Sequence, residues 1–132
     1  MAHITETDLQ EMKRYGFDTE VFKNFFCVTF ISVATGETHV FTLWDKNNDI
    51  AKLKRFLAQP LFLIGFNSHS YDMPVLRYIL NYKGKTLNAD LYKLSAKLIS
   101  DAHRDDEDIM ALRYPRYQET IVNQDLFALM GF

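Results

Sequence analysis

Tyr15-Gly16-Phe17-Asp18-Thr19-Glu20-Val21-Phe22 sets two carboxylates two residues apart inside an apolar, aromatic run. Side chains alternate faces along a strand, so a strand here places Asp18 and Glu20 on one face. Their Cα atoms then stand about 6.5–7 Å apart. One such carboxylate can bridge two metal ions about 3.5–4 Å apart while the other holds one of them. Mg²⁺ and Mn²⁺ favour oxygen ligands and keep waters, so two or three acids and a phosphate suffice. Phe17, Val21 and Phe22 around the pair argue for a buried strand end rather than a solvated strand face.

A third acid lies downstream. Leu61 to Phe66 is a continuous apolar run, as expected of a buried parallel strand, and it opens into Asn67-Ser68-His69-Ser70-Tyr71-Asp72. Ligands gather at the C-terminal ends of such strands. Asp72 is therefore expected to approach Asp18 and Glu20, giving three converging carboxylates.

The elements between and beyond these segments follow from pattern. Residues 3–14 read as a short helix or a loose lead-in. Phe25 to Ala34 and Thr38 to Trp44 are rich in β-branched and aromatic residues and read as strands. Thr35-Gly36-Glu37 is the turn between them. Ile50, Leu53, Phe56 and Leu57 fall at helical spacing, which predicts an amphipathic helix over 49–58, stopped by Pro60. Pro74 suits a first helical turn, and Val75, Leu76, Ile79 and Leu80 give that helix its apolar stripe. Asn88 to His103 reads as another amphipathic helix. Arg104 to Asp108 is a charged run and reads as a solvated face. Tyr114 to Tyr117 reads as loop, Glu119 to Asn123 as a short strand, and Asp125 to Phe132 as the start of a helix. The class is α/β: a three-stranded antiparallel meander plus parallel strands in one mixed sheet, flanked by helices.

The chain has 132 residues and is 48% hydrophobic, enough for a single domain, 1–132, with its own core. A net charge of −2 argues against a passive electrostatic binder of nucleic acid, which would be basic. It leaves a nuclease open, because bound metals reverse the local field. The lone Cys27 permits no internal disulfide, which suits a reducing cytosol. It sits in Phe25-Phe26-Cys27-Val28 and reads as a core thiol. The N-terminus is no signal peptide and no apolar run could span a bilayer. No His or Cys pairing has zinc-ligand spacing, and His69 reads as an exposed loop residue.

The element order resembles the ribonuclease H-like fold, and the two motifs resemble those of the DEDD-type 3′–5′ exonucleases, including the proofreading domains of DNA polymerases and their phage relatives. Phe17-Asp18-Thr19-Glu20 is similar to the first exonuclease motif, D-x-E. Asn67 to Asp72 is similar to the second. The resemblance implies a two-metal mechanism with two Mg²⁺ or Mn²⁺ ions, in which Asp18 contacts both and Glu20 and Asp72 one each. It implies a single-stranded DNA 3′ end as substrate, work in DNA replication beside a polymerase, and a cytoplasmic setting in a bacterial or phage-infected cell. Asn67 would fix the loop or the substrate end, and Phe22 and Tyr71 would stack on or wedge terminal bases. Asp125 resembles the acid that ends the fifth strand of the family, near the site.

One part of the family pattern is missing. The third motif, Y-x-x-x-D or H-x-x-x-x-D on a late helix, is not found. His103 to Asp108 fits the second form in letters alone, ahead of the expected fifth strand. The expectation is a C-terminally truncated domain lacking its last helices. The alternative reading is a non-catalytic or split fragment, completed by a C-terminal partner chain or by oligomerisation, that binds protein or nucleic acid. Another nuclease of the same fold, a ribonuclease or junction resolvase, is a third reading.

Overall fold

The computed structural model describes residues 5–100, 106–116 and 119–129. A short helix α1 (Glu6–Glu11) leads into strand β1 (Lys13–Phe22). β2 (Phe25–Ser32) and β3 (Thr38–Trp44) complete an antiparallel meander. A two-residue strand β4 (Asn47–Asn48) adds an edge that the sequence pattern did not suggest. Helix α2 (Ile50–Leu57) crosses to β5 (Leu61–Gly65), which runs parallel to β1. Helices α3 (Asp72–Asn81), α4 (Leu87–Ile99) and α5 (Glu107–Arg113) then lead to β6 (Ile121–Asp125), parallel to β5, and to α6 (Leu126–Leu129). The sheet order is β4-β3-β2-β1-β5-β6. The chain is thus α/β with a six-stranded mixed sheet.

The meander, the crossover helix and the parallel strand match the sequence reading closely, and β3 matches it residue for residue. Other expectations change, and the last strand falls at Ile121–Asp125 rather than Glu119 to Asn123. The helix expected to reach His103 has its C-cap at Ser100, and residues 101–105 lie outside the described residues. Part of the charged run is a cap rather than a solvated face: Asp106 Oδ1 accepts from the N–H groups of Asp108 (2.8 Å) and Ile109 (3.3 Å) and starts α5. His103 of the letter match to the third motif also lies outside the described residues.

One geometric rule explains where the core sits. The crossovers β3→α2→β5 and β5→α3-α4-α5→β6 both advance across the sheet in the same direction. Right-handed crossovers in the same direction deliver their helices to the same face. That face carries Tyr15, Phe17, Val28, Phe30, Leu61 and Leu63, which pack with Leu53, Leu76, Ile79, Leu91 and Ile109 in one cluster. Phe30 meets Tyr15, Phe17, Phe41 and Phe56 at ring-centroid distances of 4.7–6.4 Å. The other face holds the alternate residues: Asp18 and Glu20 on β1, Cys27, Thr29 and Ile31 on β2, and Val40 on β3. None of these belongs to the described core, and Ile31 and Val40 are exposed.

Cys27 is therefore not a core thiol. Phe26, Val28 and Phe30 take the inward positions of β2, so Cys27 points outward opposite Glu20 and is half-buried. Its Sγ lies 4.0 Å from Glu20 Oε2. Burial, then the charges of Glu20 and Asp18, push its pKa up, so the thiol is held protonated.

Candidate active site

The pairing of β1 with β5 ends at Gly16 and Ile64. β1 continues to Phe22. From Phe17 on, one edge of β1 is therefore free of a strand partner, and its next N–H groups need acceptors. Asp72 supplies one. Its Oδ1 accepts the Thr19 backbone N–H at 3.2 Å and also the Thr19 hydroxyl. Thr19 faces the helix side of the sheet and is buried, as is Asp72 at the first position of α3.

The chain reaches Asp72 through a tight return after β5. Asn67 adopts φ 57°, a left-handed conformation that Asn tolerates better than most residues. Gly65 is required by close approach: a Cβ there would stand 2.7 Å from Ser68 Cβ and 2.8 Å from Phe17 Cε1. Asp125 at the end of β6 holds the return in place. Its Oδ1 accepts from the N–H of Asn67 (2.8 Å) and of Phe127 (2.9 Å), and its Oδ2 from the N–H of His69 (2.9 Å). Asn123 adds a bond from its Nδ2 to Ser68 Oγ at 2.9 Å. Asp125, expected near the site, thus spends its carboxylate on the loop backbone.

A cleft of about 650 Å³ opens between these segments, and Asp18, Asn67, Tyr71, Asp72 and Arg113 are on its walls. Three of the sequence-predicted residues, Asp18, Asn67 and Tyr71, meet Asp72 there. Tyr71 is fixed by a 2.6 Å bond between its hydroxyl and Ser95 Oγ. Two do not join them. Glu20 is exposed beside Cys27 and Phe22 is 57% exposed against Phe25, neither on the cleft wall. Glu20 shares a face with Asp18, as alternation demands, but stands two residues further toward the strand end.

Arg113 is the wall residue that sequence reasoning missed. Its Nε donates to Ser70 O at 3.1 Å and its Nη2 to Leu98 O at 3.2 Å, so a guanidinium braces the loop and puts a positive charge in the cleft. The only sequence signal for it was a basic residue closing the short apolar run Ile109 to Leu112 ahead of Pro115. His69 is half-buried rather than exposed, with its ring 5.1 Å from that of Tyr114. Burial, with Arg77 and Arg113 nearby, lowers its pKa against a smaller opposing pull from Asp125, so it is neutral at pH 7.

Burial raises the Asp72 pKa, the two Thr19 bonds draw it back, and Asp18 and Asp125 push it up again, to about 6. A divalent ion would reverse that balance. Asp18 and Asp72 supply oxygen donors of the class that Mg²⁺ and Mn²⁺ take. Among the described residues no three acid, His or Cys side chains are already grouped to hold an ion, and Glu20 would have to turn toward the cleft to make a third ligand. No helix of the described residues is long and apolar enough to cross a membrane.

Comparison with protein-family models, with curated proteins and with solved structures returns no match for this chain.

Proposed function

We propose that this chain is a ribonuclease H-like, metal-dependent 3′–5′ exonuclease domain that hydrolyses DNA phosphodiester bonds. The observation that carries the proposal is the meeting of Asp18 and Asp72 in one cleft just past the C-terminal end of β5, with Arg113 on the same wall. Asp18 and Asp72 would hold the metal, with Glu20 as a third ligand once it turns in. Bound Mg²⁺ or Mn²⁺ ions would lower the pKa of a coordinated water and neutralise charge on the scissile phosphate. Arg113 would pair with a phosphate oxygen, and the Tyr71 ring would sit against the terminal base. Thr19 keeps the Asp72 carboxylate in one orientation, so the acid does not have to be ordered when substrate arrives.

The test is Mg²⁺- or Mn²⁺-dependent release of nucleotides from the 3′ end of single-stranded DNA, compared with Asp18→Ala. Release by the wild type alone supports the reading, and equal rates for the two proteins overturn it.

One observation favours a second reading, a domain completed by a partner chain or a second copy. The sheet face that carries Asp18 and Glu20 gives no side chain of β1 or β2 to the described core, and Ile31 and Val40 are 49% and 52% exposed there. A stable monomer with full activity would exclude this reading.

A further inference from the structure

β1 and β3 run parallel, both paired to β2, so their C-terminal ends reach the same edge of the sheet. The Asp18–Asp72 cleft is lined by Asp18 and Thr19 in the second half of β1, just past the end of its pairing with β5. A second and larger cleft, about 990 Å³, lies at the end of β3, and Trp44, Asp45, Lys54, Lys85 and Asn88 are among its walls. Trp44 is the sole tryptophan and is 36% exposed. Lys54 and Lys85 outnumber Asp45 on its walls although the chain as a whole is acidic, with Asp90 bonded behind the wall residues Tyr82 and Thr86. The Asn88 Nδ2 donates to Leu43 O at 3.2 Å, while its Oδ1 is buried with no partner among the described residues.

Helix α4 joins the two clefts. Its first residues, Leu87 to Ala89, line the cleft at Trp44, and its last, Leu98 and Ile99, line the cleft at Asp72. Twelve helical rises separate the ends, about 18 Å. Asn88, Tyr92 and Ile99 lie on one stripe of the helix, at i, i+4 and i+11, and Tyr92 is 47% exposed between the clefts. Exposed aromatic faces at Trp44 and Tyr92, with Lys54 and Lys85 in the Trp44 cleft and Arg113 in the Asp72 cleft, are what a sequence-tolerant binder of single strands needs. A stacked strand advances about 3.4 Å per nucleotide, so about five nucleotides cover the distance.

We propose that the Trp44–Lys54–Lys85 cleft moors the upstream part of the single-stranded DNA whose 3′ end occupies the Asp18–Asp72 cleft. The proposal rests on the nuclease reading for the position of the 3′ end. The mooring residues touch no reacting atoms, so they set affinity and length dependence rather than the rate of the chemical step.

Phosphorothioate-linked oligomers of dT, which resist hydrolysis, test this with Mg²⁺ present. Trp44 fluorescence reports occupancy of the cleft directly. An octamer should quench it and bind about tenfold or more tighter than a trimer, as one or two added stacking contacts would give. Lys85→Glu, at an exposed position, should weaken octamer binding several-fold, flatten its salt dependence and leave trimer binding unchanged. Octamer binding seen by anisotropy without quenching, or without any effect of Lys85→Glu, overturns the mooring. Quenching by free dTMP as strong as by the octamer also overturns it, since the cleft would then take nucleotides independently of the strand. Release of nucleotides from ordinary DNA is measured in parallel. Metal-dependent release without quenching sinks the mooring alone, whereas quenching without release sinks the nuclease reading and with it the placement of the 3′ end, leaving only strand binding at the Trp44 cleft.

Discussion

Thr19 gives both its backbone N–H and its hydroxyl to one oxygen of the Asp72 carboxylate. The two residues are 53 positions apart, so this contact welds the start of α3 to the free edge of β1. It also places Asp72 on the helix side of a strand whose own acids, Asp18 and Glu20, point the other way. Asp18 and Asp72 meet only because β5 stops at Gly65 and leaves the edge of β1 open.

The Asp72 carboxyl titrates at about 6, raised from 3.8 chiefly by burial. Between these values the folded chain keeps a proton that the unfolded chain releases. The stabilisation from this group is therefore complete below about pH 4 and is lost as pH rises through 6. Asp72→Asn keeps the acceptor for Thr19 and removes the titration. Its melting temperature relative to wild type should climb from pH 4 to pH 8, with a stability gain of at most about 3 kcal/mol across that span. A constant difference over the range would show that Asp72 is not the group responsible.

Gly65→Ala should destabilise the chain by about 1–3 kcal/mol, because its methyl meets the Phe17 ring and Ser68 at under 3 Å. The same displacement should loosen the loop to Asp72 and weaken metal affinity. Chemical denaturation and a metal titration on one sample check both effects. Wild-type stability in the variant would mean that the loop yields freely.

Asp125 holds two N–H groups of the loop, Asn67 and His69, and that of Phe127 in α6 on its two oxygens. Asp125→Asn must turn an NH₂ toward at least one of them. The expected cost is about 1–3 kcal/mol, with faster amide exchange at Asn67 and His69. Exchange unchanged at both positions would contradict a loop-holding role.

Arg77 and Glu119 form a two-pronged ion pair, with Nε to Oε2 at 3.0 Å and Nη2 to Oε1 at 2.7 Å. Nη1 donates to Leu112 O at 2.7 Å, so the pair fastens α3 to α5 and to the approach to β6. The Arg77 side chain is only 8% exposed. Glu119→Ala leaves that charge buried and unpaired and should cost about 3–5 kcal/mol by urea denaturation. Replacing both residues with apolar ones should cost much less. Equal costs for the single and double variants would show that packing rather than charge is what the pair supplies.

The sheet was legible because β2 and β3 are rich in β-branched and aromatic residues and β5 is a short continuous apolar run, and the Gly36 turn fell between β2 and β3. Asp18 and Asp72 were legible as a pair because strand ends concentrate ligands. What escaped the sequence was depth and direction. Alternation put Glu20 beside Asp18 but could not say that the cleft would open on one residue and pass the other. Cys27 looked like core because its neighbours are, and period two sent it outward. Asp106 looked solvated because a cap and a charged face share a composition. Arg113 carried no pattern, since its role comes from two carbonyls brought close only by the tertiary fold.

The central claim is that Asp18 and Asp72, carried on a strand and a helix 54 positions apart in the chain, form one metal site. Calorimetric titration of Mn²⁺ into the wild type, Asp18→Asn and Asp72→Asn at pH 7.5 tests it. The wild type should bind, and each variant should lose at least about tenfold in affinity, as removal of one of few charged ligands implies. Three identical isotherms, or no heat from the wild type, would contradict it.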